Sequence, residues 1–287
     1  MKKHKICKIL LVILAIFLCV AFYELLGICV AYKKQPEVSN TTKKETKNGS
    51  WNECSENTER AVIIEKNPEA LLQRVRLIKN AKKEIILSTF AFQSDESGKL
   101  ILGALHDAAD RGVHIRLLVD GMESWIDMEG NPYFYGLSSH ENVEIKLYNK
   151  ANPLKPWKIM GRMHDKYLIA DGKRYILGGR NTYNYFLGDF PGHKNYDRDV
   201  LVVCDEPEKE NSVNQLLEYF ETIWEQEDSD YFHDNKKLAN RKSVKNAVLE
   251  LQNGYQKYFE ENKERICDTD YTDETFETEK IALVSNP

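Results

Sequence analysis

Apolar and polar positions follow three patterns along this chain, and each predicts a different kind of element. The first is an unbroken run: from Ile9 to Tyr32 the side chains are apolar except at Glu24 and Gly27. The second has helical spacing. Leu71, Leu72, Val75, Ile78 and Ala81 share one face of a segment that Asn67 can cap and Pro68 can open. A further helix runs from about Gly98 to Asp110 and stops at Gly112, and Val213, Leu216, Leu217, Phe220 and Ile223 mark another. The third pattern belongs to strands: "EIILSTFAF", then "VHIRLLVD", whose Val113, Ile115, Leu117 and Val119 alternate with polar neighbours, then "VEIKL" and "DVLVVC". The β-α-β order predicts an α/β fold with a mixed, largely parallel sheet flanked by helices.

The apolar run, as a helix, is roughly 36 Å long, enough to cross a hydrocarbon core of about 30 Å. Residues 1–8 therefore read as a basic tail and 9–32 as a transmembrane anchor. A cleaved secretory signal would need a small-x-small site after the run, and none is clear. Lysines flank both ends, and the short basic tail favours the cytoplasmic side for the N-terminus, with the remainder outside the cell membrane. Residues 33–60 are polar with little to bury, a flexible linker. Asn40-Thr41-Thr42 and Asn48-Gly49-Ser50 match glycosylation acceptors that would matter only in a secretory pathway. Residues 61–226 form the folded unit. Residues 227–287 form a helical extension with an acidic, solvated run from Asp268 to Glu279.

Charge and cysteines narrow the chemistry. A net charge of -5 argues against nucleic acid as a general partner, because phosphate contacts need surplus Lys and Arg. Cys54, Cys204 and Cys267 are widely spaced with no C-x-x-C pair, so neither a zinc site nor a disulfide framework is indicated; a Cys54 to Cys267 bridge would require an extracytoplasmic domain. Cys204 reads as an apolar filler at a strand end.

The candidate chemistry lies in "GRMHDKYLIADGKRYILGGRNTYNYFLG". If Asp171-Gly172 makes a two-residue hairpin turn, Ala170 faces Lys173, Leu177 faces Lys166 and Gly179 faces His164. His164 and Lys166 then share a face, and a continued return strand adds Asn181 to it. Gly178 and Gly179 leave a bare floor that a substrate or another backbone can approach. An imidazole, an ammonium and an amide suit a tetrahedral phosphate: the ring attacks phosphorus while Lys166 and Asn181 offset oxygen charge. Arg180, between the glycines and the asparagine, is a further candidate phosphate contact. Lys150, Lys155, Lys158 and Arg162, interleaved with Trp157, form a basic loop that either receives an anionic headgroup or is simply solvated.

His164-x-Lys166-x4-Asp171 followed by Gly178-Gly179-x-Asn181 resembles the signature of the phospholipase D superfamily, over roughly Arg60 to Trp224. The continuation "GGRNTYNYFLG" and the later "DRDVLVV" look most like cardiolipin synthase-type phosphatidyltransferases. The resemblance implies a phospholipid substrate, a phosphohistidine on His164, phosphate binding by Lys166 and Asn181, and no metal or other cofactor. It makes Asp171 the motif's aspartate, which the turn limits to an indirect structural role. It also implies that Asp197 holds the imidazole through its other nitrogen; the bland alternative is a surface carboxylate paired with Arg198.

The family's reaction uses two histidines, one as nucleophile and one as proton donor, and no second H-x-K-x4-D follows Asp171. "EKIALVSNP" at the C-terminus weakly echoes "RAVIIEKNP", as if a second half were about to begin. Three readings follow: a membrane-anchored phosphatidyltransferase or phospholipase complete only as a homodimer or with a second half, a single-motif homodimeric nuclease, or a non-catalytic phosphate- or lipid-binding protein.

Overall fold

The computed structural model describes residues 2–33, 40, 43, 44, 47, 59–204, 211–233, 235–279 and 281–284. Its first element, α1 (Lys2–Lys33), is long and apolar enough to cross a membrane. The linker expected at 33–60 lies largely outside the described residues, as do Cys54 and the Asn48 triplet.

Among the described residues nine strands form one sheet: β1 (Glu59–Ile64), β2 (Glu84–Thr89), β3 (His114–Asp120), β4 (Val143–Tyr148), β5 (Lys166–Ala170), β6 (Arg174–Gly178), β7 (Asp199–Cys204), β8 (Ser229–Tyr231) and β9 (Phe276–Glu277). They lie in the order β8-β4-β3-β2-β5-β6-β7-β1-β9. The sheet is mixed, but it is not largely parallel. Only β2–β3 and β3–β4 run parallel, because only these pairs are joined by helical crossovers. Every other neighbour is antiparallel, including the β5–β6–β7–β1 run that carries the glycine pair.

Strand alternation splits the core between two faces. Ile115, Leu117, Leu168 and Ile176 point to one face, where they meet α2 (Asn67–Asn80), α3 (Glu96–Asp110), α5 (Pro132–Ser138), α7 (Lys242–Glu261) and α8 (Lys263–Cys267). Leu118, Tyr167, Ile169 and Val202 point to the other, covered by Val213, Leu216 and Phe220 of α6 (Ser212–Trp224). Each such buried side chain contributes about 1.5–3 kcal/mol of apolar transfer free energy. One short helix, α4 (Gly121–Asp127), follows β3 directly.

Beyond the boundary expected at residue 226 the chain continues the same sheet. β8 pairs with β4 and β9 with β1, so later residues edge both sides of the sheet. Helix α7 packs so closely on α3 that a Cβ at Gly103 would lie 2.7 Å from the Leu251 carbonyl oxygen. The acidic run is also not simply solvated. Arg76, 1 % exposed, donates to the carbonyls of Asp268 and Asp270, pairs with Glu274, and lies 3.9 Å from the Tyr271 ring centroid. A buried guanidinium needs counter-charge, and the acidic residues supply it. Ile281 and Leu283, from the segment that echoes the start of the domain, pack beside α6; Lys280 and 285–287 lie outside the described residues.

Candidate functional site

The hairpin that carries the motif turns one residue later than its Asp-Gly pair suggests. Ala170 faces Arg174 and Tyr167 faces Leu177, so the connection is Asp171-Gly172-Lys173 and not a two-residue turn. Asp171 and Gly172 both adopt positive φ, 55° and 61°. The reason is tertiary. The Asp171 carboxylate accepts hydrogen bonds from the backbone N–H groups of Lys82, Lys83 and Glu84 at 2.7–3.1 Å, which pins the turn to the start of β2.

The shift moves everything beyond the turn. Strand β6 ends at Gly178, and Asn181 lies on a segment that crosses to the far end of β2. There Thr182 N–H donates to the Ala91 carbonyl and Gln93 N–H to that of Thr182. The Asn181 side-chain oxygen accepts from Ala91 N–H at 3.3 Å, and its amide nitrogen is uncommitted among the described residues. Lys166 pairs with Thr89 at that same end of β2. The next residue, Phe90, closes the group: its ring centroid is 4.7 Å from that of His164 and 5.3 Å from the Lys166 ammonium. His164, Lys166 and Asn181 are thus gathered by the carboxyl end of β2, not by a continuous hairpin.

Burial sets their charges. The His164 imidazole is pushed below its usual range, first by desolvation and then by the Lys166 charge. Lys166 is 5 % exposed, and desolvation pushes its ammonium down to about 8 against the pull of Asp165 and Asp197. Its Nζ donates to the His164 carbonyl oxygen at 2.6 Å. Asp165 points to the other side of the strand, where burial raises its carboxyl and the Tyr219 hydroxyl donates to it at 2.9 Å.

The two glycines serve β7. A Cβ at Gly179 would lie 2.1 Å from an Asp197 carboxylate oxygen, and one at Gly178 would lie 2.1 Å from Asp199 Oδ1. The bare floor is therefore filled by neighbouring carboxylates. Asp197 does not hold the imidazole: no hydrogen bond joins it to His164 among the described residues, and its carboxylate accepts from Arg198 N–H. Nor does it pair with the Arg198 guanidinium, which reaches Glu65 at 3.0 Å.

Arg180 points into the interior. Its guanidinium is fully buried, donates to Asn67 Oδ1 and to the carbonyls of Ile64 and Glu65, and lies 3.2 Å from Asp199. Asp199 also takes Arg74 at 2.9 Å, so one carboxylate neutralises two interior cations. In the basic loop, Lys158 pairs with Asp228 and Arg162 with Asp120 and Glu123.

Two contributors escaped the sequence reading. Phe90 lies in the segment "EIILSTFAF", which carries no sequence signal of a site. Asp120, 1 % exposed, caps α4 through Met122 and Glu123 N–H and also binds Arg162 and Met163 N–H, fixing the approach to His164. An aspartate between an alternating strand and a helix start was the available signal. Among the described residues no three His, Cys, Asp or Glu side chains converge as a metal site.

Comparison with known proteins identifies the family of the domain. The family described as "Cardiolipin synthase, PLD-like domain" matches residues 74–224, more than half of the chain. An uncharacterized Helicobacter pylori protein is 30% identical over 212 residues, 69% of this chain but 39% of that protein. Cardiolipin synthase C of Escherichia coli is 29% identical over 171 residues, 55% of this chain and 34% of the relative. The chain thus spans about two fifths or less of the length of these relatives. Among solved structures, phosphatidylserine synthase of Haemophilus influenzae superposes with a TM-score of 0.50 at 17% identity, covering 77% of this chain and 48% of that one, a likeness of fold. This chain belongs to the cardiolipin synthase-type, phospholipase D-like domain family.

Proposed function

We propose that the protein is a membrane-anchored phospholipase D-type phosphodiesterase or phosphatidyltransferase, working through a phosphohistidine on His164, with its catalytic domain outside the cell membrane. The observation that carries this reading is the convergence of a lowered-pKa imidazole, a lysine ammonium and a fixed amide at the end of β2. A phosphodiester binds with non-bridging oxygens toward Lys166 Nζ and the Asn181 amide nitrogen. A lone pair of the neutral His164 ring attacks phosphorus, and the bond to the departing alkoxide breaks. Water or an alcohol hydroxyl then attacks the phosphohistidine, restoring the imidazole. Asp171 acts at a distance by holding the hairpin to β2.

The departing alkoxide needs a proton, and the second nucleophile must lose one. With a single H-x-K motif in the sequence, we assign both transfers to a second histidine from another copy or from a complementary half. The test uses the full chain in phosphatidylglycerol vesicles, wild type against His164→Ala. Headgroup release or transfer should fall by a factor on the order of 10⁴ in the variant, and a phosphatidyl adduct should be trapped on the wild-type histidine. Turnover of single-stranded DNA with none of lipid would overturn the lipid reading. A strict monomer by light scattering that still turns over would overturn the two-histidine requirement.

A further inference from the structure

The apolar run of α1 is interrupted at Glu24 and Gly27, and both interruptions face the folded domain. Gly27 meets Pro156: a Cβ there would lie 2.3 Å from the proline Cγ, so only glycine allows the contact. The Tyr23 hydroxyl, on the same helix face, donates to the Leu154 carbonyl at 2.8 Å. Glu24 lines a cavity of about 500 Å³ whose other walls include Trp125, Lys150, Lys155 and Arg162. The helix is therefore seated on the loop 149–162 and does more than tether the domain.

That seat fixes depth. Tyr23 and Gly27 stand ten and six residues before Lys33, so helical rise places the loop roughly 15 to 9 Å inward from the Lys33 end of the span. With about 36 Å of apolar helix over a core of about 30 Å, that level lies among the outer acyl chains, where apolar side chains of the loop meet lipid tails and its lysines reach up toward the headgroups. The exposed side chains suit such a position. Leu154 is 77 % exposed, Ile126 66 % and Trp125 64 %, with Trp157 and Met160 also open. The sequence of the loop holds four basic residues and no acidic one, and among the described residues Lys150 has only the Tyr231 carbonyl as partner. Aromatic rings with cationic neighbours are the composition of an interfacial membrane contact.

We propose that loop 149–162, with Trp125 and Ile126 of α4, is a docking surface that inserts into the interfacial layer of an anionic phospholipid bilayer beside α1. Arg162 links this surface to the site: it lines the cavity, stands two residues before His164, and lies 5.0 Å from the Phe90 ring centroid. Docking would hold the His164 face at the level of lipid phosphates. The proposal rests on the membrane-anchored reading of α1 but not on the phosphohistidine chemistry.

The experiment reads tryptophan emission of the full chain in vesicles with brominated acyl chains, because bromine quenches only indoles in contact with it. The wild type should be quenched more in phosphatidylglycerol-containing vesicles than in phosphatidylcholine alone. The double variant Trp125→Phe/Trp157→Phe should lose most of the quenching, leaving Trp51 and Trp224. Gly27→Leu, which keeps the helix apolar but forces it off Pro156, should lower it as well. His164→Ala should leave quenching unchanged even if it abolishes turnover. Equal quenching in the wild type and the double variant would overturn the proposal, as would a Gly27→Leu chain indistinguishable from the wild type.

Discussion

Two interior cations flank the glycine pair, and their surroundings could hardly differ more. Arg180, beyond the end of β6, is paired with Asp199 and donates to Asn67 and two backbone carbonyls. Lys166, at the start of β5, has a single hydrogen-bond partner among the described residues, the His164 carbonyl, and no ion pair among them. Burial opposes both charges, yet only the lysine is left with donors to spare. A buried cation whose donors are all spent is part of the scaffold, whereas one held short of partners is free to meet an incoming phosphate. Motif position alone made both cations candidate phosphate contacts.

The largest expected effect tests the scaffold side. Asp199 Oδ1 has no hydrogen-bond partner, and both Arg74 and Arg180 lean on Oδ2. Asp199→Asn removes the only ionic partner these two guanidiniums share among the described residues, leaving interior positive charge uncompensated. Stability should fall by about 3–5 kcal/mol, read from urea unfolding of the domain's far-UV signal. A loss under about 1 kcal/mol would mean that water reaches the cluster.

A paired substitution sharpens the contrast. Lys166→Met should lower kcat/KM on lipid by roughly 10²–10³-fold, the cost of losing one preorganised charge at the phosphate, without lowering stability. Arg180→Met should do the reverse: it unfolds at lower urea, but its folded fraction keeps kcat/KM within a few-fold of the wild type. If Arg180→Met lost activity without losing stability, the arginine would be a phosphate ligand after all.

The sequence made the elements legible because their patterns are local. Leu71 to Ile78 on α2 and Val113 to Val119 along β3 repeat at the period of the structure they form. His164, Lys166 and Asn181 could also be named from their order. What could not be read was register. An Asp-Gly pair favours a two-residue turn in isolation, but three backbone N–H groups leading into β2, nearly ninety residues earlier in the chain, hold Asp171 in a longer one. Arg180 was misplaced for a related reason: whether a charge faces solvent or Asp199 depends on β7, twenty residues later. The C-terminal extension looked solvated because its acidic side chains answer Arg76, a residue on another element. Each miss is a long-range pairing that composition and periodicity do not encode.

The smallest effect is a displacement of pH limbs, and it follows from the same contrast. The nucleophile must be neutral, and desolvation lowers the pKa of His164, so the acid limb of kcat/KM should have its midpoint below the ordinary imidazole value of 6.5. Lys166 must be charged, and its ammonium is pushed down to about 8, so kcat/KM should fall as pH rises through that value. A bound phosphate favours the ammonium, which moves the corresponding limb of kcat to higher pH than that of kcat/KM. Lys166→Arg separates this from other titrations, because a guanidinium stays charged throughout the accessible range. The planar fork should lower the plateau, and the alkaline limb near 8 should vanish from the kcat/KM profile. If that limb persists unchanged in the variant, it belongs to a proton donor elsewhere, and Lys166 is not the cation that meets the phosphate.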